Sequence, residues 1–428
     1  MRNRALTPVE TAAVDAVDAD GLVADLRTVV AVPSTGGSRA ECDVQAWAAA
    51  RLAELGADVD HWRLDLPALR AADGYPGEEV RRDEAWGCVG TVPAGRDEEP
   101  ALVLAGHLDV VPPGDGDLWV GGDPWTLREA DGRLHGRGAC DMKGGVVAVL
   151  GAVAALRRAG VRLRRPLAVH TVVGEEDGGL GTFATLARGH RGRACVIAEP
   201  TAGDLLVANA GALTFRVEVA GHAAHGATRT LGVSALEAFL PVLEALRDLE
   251  ARRNAVLPAG FGHLDLAAPI SVGTVRAGDW PSTVPDRLVA EGRFGVLPGE
   301  AVEQARQELE AAVAAACADD DWLAEHPARV TWSGGQFAPG ELPAGDPLAD
   351  DVADCLVGLG VRAPERVGAP YGSDLRLYAG AGIPTLQYGP GDIASAHTVD
   401  EHVEEADLVT AARAYALLAV RRCGVVSD

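Results

Sequence analysis

Apolar residues change their spacing along this chain, and each change marks a different kind of structure. Residues 43–55 carry apolar side chains at the helical period. Residues 101–111 form a near-continuous apolar run, as expected of a strand buried on both faces of a parallel sheet. Helical spacing returns over 144–158, and further buried strands are predicted at 167–173 and 194–198. Such alternation predicts an α/β domain.

Beyond Gly211 the period shortens to two. Leu213, Phe215, Val217 and Val219 alternate with Thr214, Arg216 and Glu218, which predicts a half-buried strand. Leu236, Phe239, Leu240, Leu243, Leu246 and Leu249 give residues 233–253 helical spacing, with Pro241 placed to kink the helix or shift its start. Strands at 270–275 and 288–297, a helix at 300–317 and a short strand at 329–332 complete a β-α-β-β-α-β order, the split-βαβ arrangement. Then the α/β pattern resumes. A helix is predicted at 347–359, with Asp346 as N-cap and Pro347 at its first position. A helix at 374–379, a strand at 385–388 and a final helix at 405–420 follow. The expected organisation is a discontinuous α/β domain, residues 1–210 and 333–428, interrupted by an inserted ferredoxin-like domain at 211–332.

Composition narrows the function. A chain of 428 residues suggests two or three domains at roughly 100–200 residues each. Aromatics are 4% against 48% hydrophobic residues, so the core must rest on Leu, Val and Ala. A net charge of −24 excludes the basic footprint of a nucleic-acid binder. Acidic residues interrupt the first 33 positions, leaving no apolar signal core, and residues 144–156, the longest apolar stretch, are too short for a bilayer. A cytoplasmic protein without membrane partners is expected. Seven scattered cysteines with no C-x-x-C argue against a disulfide framework or a thiolate zinc site. The acidic runs at 97–99 and 319–321 read as solvated turns. Lys143 is the only lysine in a chain that otherwise uses arginine, which suggests a position where arginine does not fit.

Carboxylates and imidazoles gather where strands are predicted to end. His107 and Asp109 lie towards the end of one strand, and Glu175, Glu176 and Asp177 follow the next. Glu199 follows a third, and His397 lies in the loop after a fourth. Ligands of open α/β sheets bind outside the carboxyl ends of the strands. Imidazole and carboxylate suit zinc or a similar metal. With two metals about 3.5–4 Å apart one carboxylate can bridge them, and Asp141, in the turn entering the helix near Met142, is placed for that. Asp109, two residues after His107 and on the same strand face, is expected to hold that imidazole in one tautomer. Of the adjacent Glu175 and Glu176, one can bind metal while the other takes a proton from the nucleophilic water.

The runs G-H-L-D, G-R-G-A-C-D-M-K-G-G, G-E-E-D-G-G-L-G-T, A-E-P-T and S-A-H-T-V-D-E together resemble the family of two-zinc metallopeptidases that includes acetylornithine deacetylase, succinyl-diaminopimelate desuccinylase, aminoacylase and glutamate carboxypeptidase. The resemblance spans nearly the whole chain and implies a zinc-exopeptidase-like catalytic domain with an inserted lid and dimerisation domain. It implies His107 as a ligand of one metal and His397 of the other, with Asp141 bridging. Glu199 would share the metal of His107, and Glu176 that of His397. Glu175 becomes the general base and Asp109 the support of His107. A cis peptide at Asp141-Met142 is also implied. In Gly221-His222-Ala223-Ala224-His225-Gly226, the resemblance makes His225 a donor to the oxyanion in a partner subunit's site, hence a homodimer through the lid. Arg376 resembles a clasp for the substrate carboxylate. Ser282 stands where many relatives have Asn, and Arg229 is a further candidate for substrate contact.

The expected activity is hydrolysis of an N-acyl amino acid with two Zn²⁺ ions, Co²⁺ and Mn²⁺ being other metals of suitable chemistry. A dipeptidase or carboxypeptidase, a phosphoesterase, and a non-catalytic use of the same site are the alternatives. His61, His135, His170, His190, His222, His263, His326 and His402 match no motif position and read as structural or surface residues.

Overall fold

A computed structural model describes residues 5–96 and 98–426, so Asp97 of the acidic run at 97–99 lies outside it. The chain divides into two compact units. One comprises residues 1–207, 341–367 and 373–428, and the other residues 208–340 and 368–372.

The larger unit is built on a mixed sheet. Across it run Asp58–Arg63, Trp86–Val92, Leu167–Val172, Leu102–His107, Cys195–Ile197 and Thr385–Gln387. The first pairings are antiparallel. From Leu167–Val172 to Thr385–Gln387 every pairing is parallel. Four strands therefore end at the same edge, and every residue of these four is buried, which is why they read as continuous apolar runs. The helix Lys143–Arg158 is apolar nearly all round because it is almost wholly buried, packed against the long final helix Glu405–Cys423 and the strand Leu102–His107. The core is dominated by Leu, Val and Ala, as composition requires. The helix Ala19–Val30 buries Leu22, Leu26, Val29 and Val30 at helical spacing, whereas Pro8–Asp15 and the edge strand Asp58–Arg63 carry mixed residues.

The smaller unit is a four-stranded antiparallel sheet in the order Ile270–Ala277, Arg287–Val296, Gly211–Ala220, Arg329–Phe337. With helices Ala235–Arg253 and Val302–Ala318 this is the ferredoxin-like arrangement. Gly211–Ala220 buries alternate residues, as its period of two predicts. Pro241 does not end its helix: Ser234 caps the start by accepting from the Glu237 N–H, and the helix continues to Arg253. Its buried face runs through Phe239, Val242, Leu246 and Leu249, while Leu236 and Leu240 point outward. Among the described residues no helix is long and apolar enough to cross a membrane.

The paired glycines of the K-G-G run have a packing cause. A Cβ on Gly145 would lie 2.0 Å from the carbonyl oxygen of Ala198, and one on Gly144 2.4 Å from that of Ala139. The helix start thus presses against the backbone just before Glu199. Gly145→Ala should cost about 1–3 kcal/mol as the backbones are forced apart, read as a lower denaturation midpoint in urea.

Candidate metal centre

The four parallel strands deliver their side chains to one edge because strands that run the same way end on the same side. His107 is the last residue of its strand, while Glu175, Glu199 and His397 follow the ends of the others. Asp141 comes from the turn ahead of the helix Lys143–Arg158, and the peptide bond joining it to Met142 is cis.

Asp141 lies between two imidazoles. Its Oδ1 is 3.1 Å from His107 Nε2, and its Oδ2 is 3.4 Å from His397 Nε2. Glu199 Oε1 stands 3.8 Å from His107 Nε2, and Glu176 Oε2 3.1 Å from His397 Nε2. Two donor triads result, His107–Asp141–Glu199 and Asp141–Glu176–His397, each within 4.8 Å. Donors around a tetrahedral ion at about 2.0–2.1 Å are about 3.3–3.4 Å apart, so these residues fit a pair of divalent ions sharing Asp141. Three protein donors per ion leave a position for substrate or water, as in catalytic sites.

The electrostatics also call for cations. Burial, then the carboxylate of Asp374, pushes Glu175 well above the usual carboxyl range. Burial, then Asp141, does the same to Glu199 and raises Glu176 to about 7. Asp141 escapes this: burial would raise it, but hydrogen bonds from His107 and His397 outweigh burial and hold it low. Those bonds raise the imidazoles in turn, His397 to about 10. Such a surplus of buried negative charge is what two dications would neutralise.

His107 Nδ1–H donates to the main-chain carbonyl of Asp109 at 2.9 Å, so Nε2, which faces Asp141, is the nitrogen that would ligate a metal once its own proton is displaced. The sequence had pointed to the Asp109 carboxylate, but the strand ends at His107 and the chain turns. The carboxylate stands 3.7 Å from Nδ1 and accepts instead from the Glu176 N–H. It thereby ties the two triads together. His397 has φ of +61°, a sparsely populated conformation for a non-glycine residue that histidine tolerates better than most. Its side chain is half exposed, marking the open side of the centre.

Residues without an assigned role in the sequence hold this geometry. Glu401 accepts from the N–H groups of Cys140 and Asp141 and pairs with the buried Arg137. Lys143 is fully buried, and its ammonium donates to the carbonyls of Val29 and Val32 at 2.9 and 2.8 Å. Burial pushes it down to about 7. A Cβ on Gly138 would sit 2.9 Å from the Lys143 stem, so the glycine leaves the lysine its path to these carbonyls. Asp177 pairs with the buried Arg82, which also binds Glu41. The motifs enclosing Arg137, Lys143 and Glu401 were a signal for them; Glu41 and Arg82 had none.

Arg376 is buried in the same unit, with its guanidinium donating to the carbonyls of Ser373 and Gly178. His225, Ser282 and Arg229 lie together in the smaller unit. Gly226 N–H donates to the Ser282 carbonyl beside His225, and Arg229, on the following turn, pairs with Glu237.

Paired donor triads at the carboxyl edge of a parallel sheet suit a two-metal hydrolase. Residues 103–421 match Peptidase family M20/M25/M40, and the chain belongs to that family. It is 28% identical over 386 residues, 86% of each chain, to N-formyl-4-amino-5-aminomethyl-2-methylpyrimidine deformylase of Bacillus subtilis. It is 32% identical over 354 residues, 76% of this chain and 82% of the relative, to succinyl-diaminopimelate desuccinylase of Gluconacetobacter diazotrophicus. Its fold is shared with the dipeptidase Dug1p of Saccharomyces cerevisiae at 14% identity and a TM-score of 0.75, over 98% of this chain and 99% of that one.

Asp141→Asn should weaken both ions at once, lowering the content of dialysed protein by more than the loss of Glu199 alone does, as metal analysis would read. Lys143→Met leaves two carbonyls without their donor and should cost about 1–3 kcal/mol, measured by chemical denaturation.

Proposed function

We propose that this chain is a two-zinc deacylase that cleaves the amide bond of an N-acyl amino acid. What supports it is the sharing of Asp141 between two open donor triads, with Glu175 buried alongside. Both curated relatives, by name, remove an acyl group, formyl or succinyl, which favours a deacylase over a dipeptidase. Imidazole and carboxylate donors favour Zn²⁺, with Co²⁺ and Mn²⁺ of related chemistry.

Two divalent ions, when bound, supply Lewis acidity to the amide carbonyl and to the attacking water. His107 and Glu199 would hold one, Glu176 and His397 the other, with Asp141 available to both. Glu175 takes the proton of the attacking water and returns it to the leaving nitrogen. It is buried in one cavity with His107 and Glu199, where a base acting on water held by the centre must stand. Asp109 orients His107 through its carbonyl and Glu176 through its carboxylate. Arg376, with two N–H groups committed to carbonyls, organises the Gly178 turn and carries positive charge towards Glu175.

The protein works as a homodimer through its smaller unit. Leu236, Leu240 and the exposed edge strand Ile270–Ala277 offer the apolar face and unpaired edge such an interface uses. His225 is exposed, and its Nδ1 accepts from the Ala227 N–H, so Nε2–H is the donor available to the oxyanion in the partner's site. Ser282 and Arg229 flank it and contact the substrate.

A panel of N-formyl, N-acetyl and N-succinyl amino acids and dipeptides, followed by mass spectrometry with and without zinc, tests the proposal. Zinc-dependent loss of an acyl amino acid is expected, and cleavage of dipeptides alone would overturn it. Glu175→Gln should retain its metal content and lose about 10²–10⁴-fold in kcat.

A further inference from the structure

We infer that the chain carries a third metal site, separate from the paired triads, formed by His135, Asp400 and His402 and suited to a divalent transition metal such as Zn²⁺. These residues read as ordinary surface positions in the sequence, because 135 and 402 are far apart in the chain. The structure pairs the strands Arg133–His135 and His402–Glu404 in antiparallel register, with His402 directly opposite His135. The two rings lie 5.0 Å apart. One ring nitrogen from each and a carboxylate oxygen of Asp400 fall within 4.8 Å of one another, the spacing of a metal triad.

The details of the two imidazoles suit ligation. His402 Nδ1–H donates to the Asp400 main-chain carbonyl at 2.7 Å, which leaves Nε2 with the lone pair. Metal-ligating histidines are held in this way, by a carbonyl on the far ring nitrogen. His135 Nδ1 is buried 3.2 Å from Asp400 Oδ1, yet off the line of a hydrogen bond, and has no hydrogen-bond partner among the described residues. A cation held by both atoms would satisfy this buried ring nitrogen. Arg128 stands directly opposite His135 across the hairpin. The Asp400 carboxylate offsets the Arg128 charge, and a chain of net charge −24 concentrates dications around it. Two imidazoles and one carboxylate form a borderline donor set that selects zinc, nickel or copper over calcium or magnesium.

Location gives the site a consequence. Asp400 and His402 continue the loop that carries His397, whereas His135 belongs to the hairpin of Arg128–Ala130 and Arg133–His135. An ion here staples that loop to the hairpin.

The test is a zinc count on full-length protein dialysed against buffered Zn²⁺, for wild type, His402→Ala and the milder His402→Gln and Asp400→Asn. Each variant is first checked for native near-ultraviolet circular dichroism. Wild type should hold one zinc more per chain than each folded variant. Asp141→Asn, counted in parallel, reads the paired triads separately, so a failure there does not alter the comparison. Equal zinc in wild type and every folded variant would overturn the inference.

Discussion

Asp141 can face two imidazoles at once only because its own backbone is held, and much of the larger unit serves to hold it. Glu401 grips the N–H groups of Cys140 and Asp141. Arg137, buried beside it, compensates the Glu401 charge. Lys143, two residues on, anchors the helix start to the carbonyls of Val29 and Val32. Gly144 and Gly145 let that helix start approach the backbone leading to Glu199. Each of these groups is buried, and a buried charge or donor without its partner is costly. The cluster is therefore tightly coupled, and a change at one member is felt at Asp141.

The same buried setting creates the chemistry. Glu175, Glu176, Glu199 and Asp141 share a space largely closed to water, so their charges repel strongly. Two imidazoles offset only part of this. The imbalance makes the cluster a cation site, whereas Glu41, Arg82 and Asp177 nearby form a self-contained ion cluster. His397 is the exposed member, which leaves one side of the centre open to a substrate.

The parallel strands and the buried helix between them were legible because positions buried on both sides are filled mostly by apolar residues. The motif residues were legible because donor types recur at the ends of those strands. The short helix Pro8–Asp15 and the edge strand Asp58–Arg63 were not, since half-exposed elements tolerate mixed residues. The outward turn of Leu236 and Leu240 was missed because a period alone does not say which edge of an apolar stripe is covered.

The sequence by itself determined which residues could bind metal, since donor chemistry belongs to side-chain type and strand-end placement follows from apolar runs. Tertiary structure decided the contacts that donor type leaves open. Asp141 meets His107 and His397, His135 meets His402, and the Asp109 carbonyl rather than its carboxylate holds the His107 ring. These are contacts between residues distant in the chain, or turns of the backbone after a strand ends. Distances of that kind are set by packing and hydrogen-bond direction, which no residue order states.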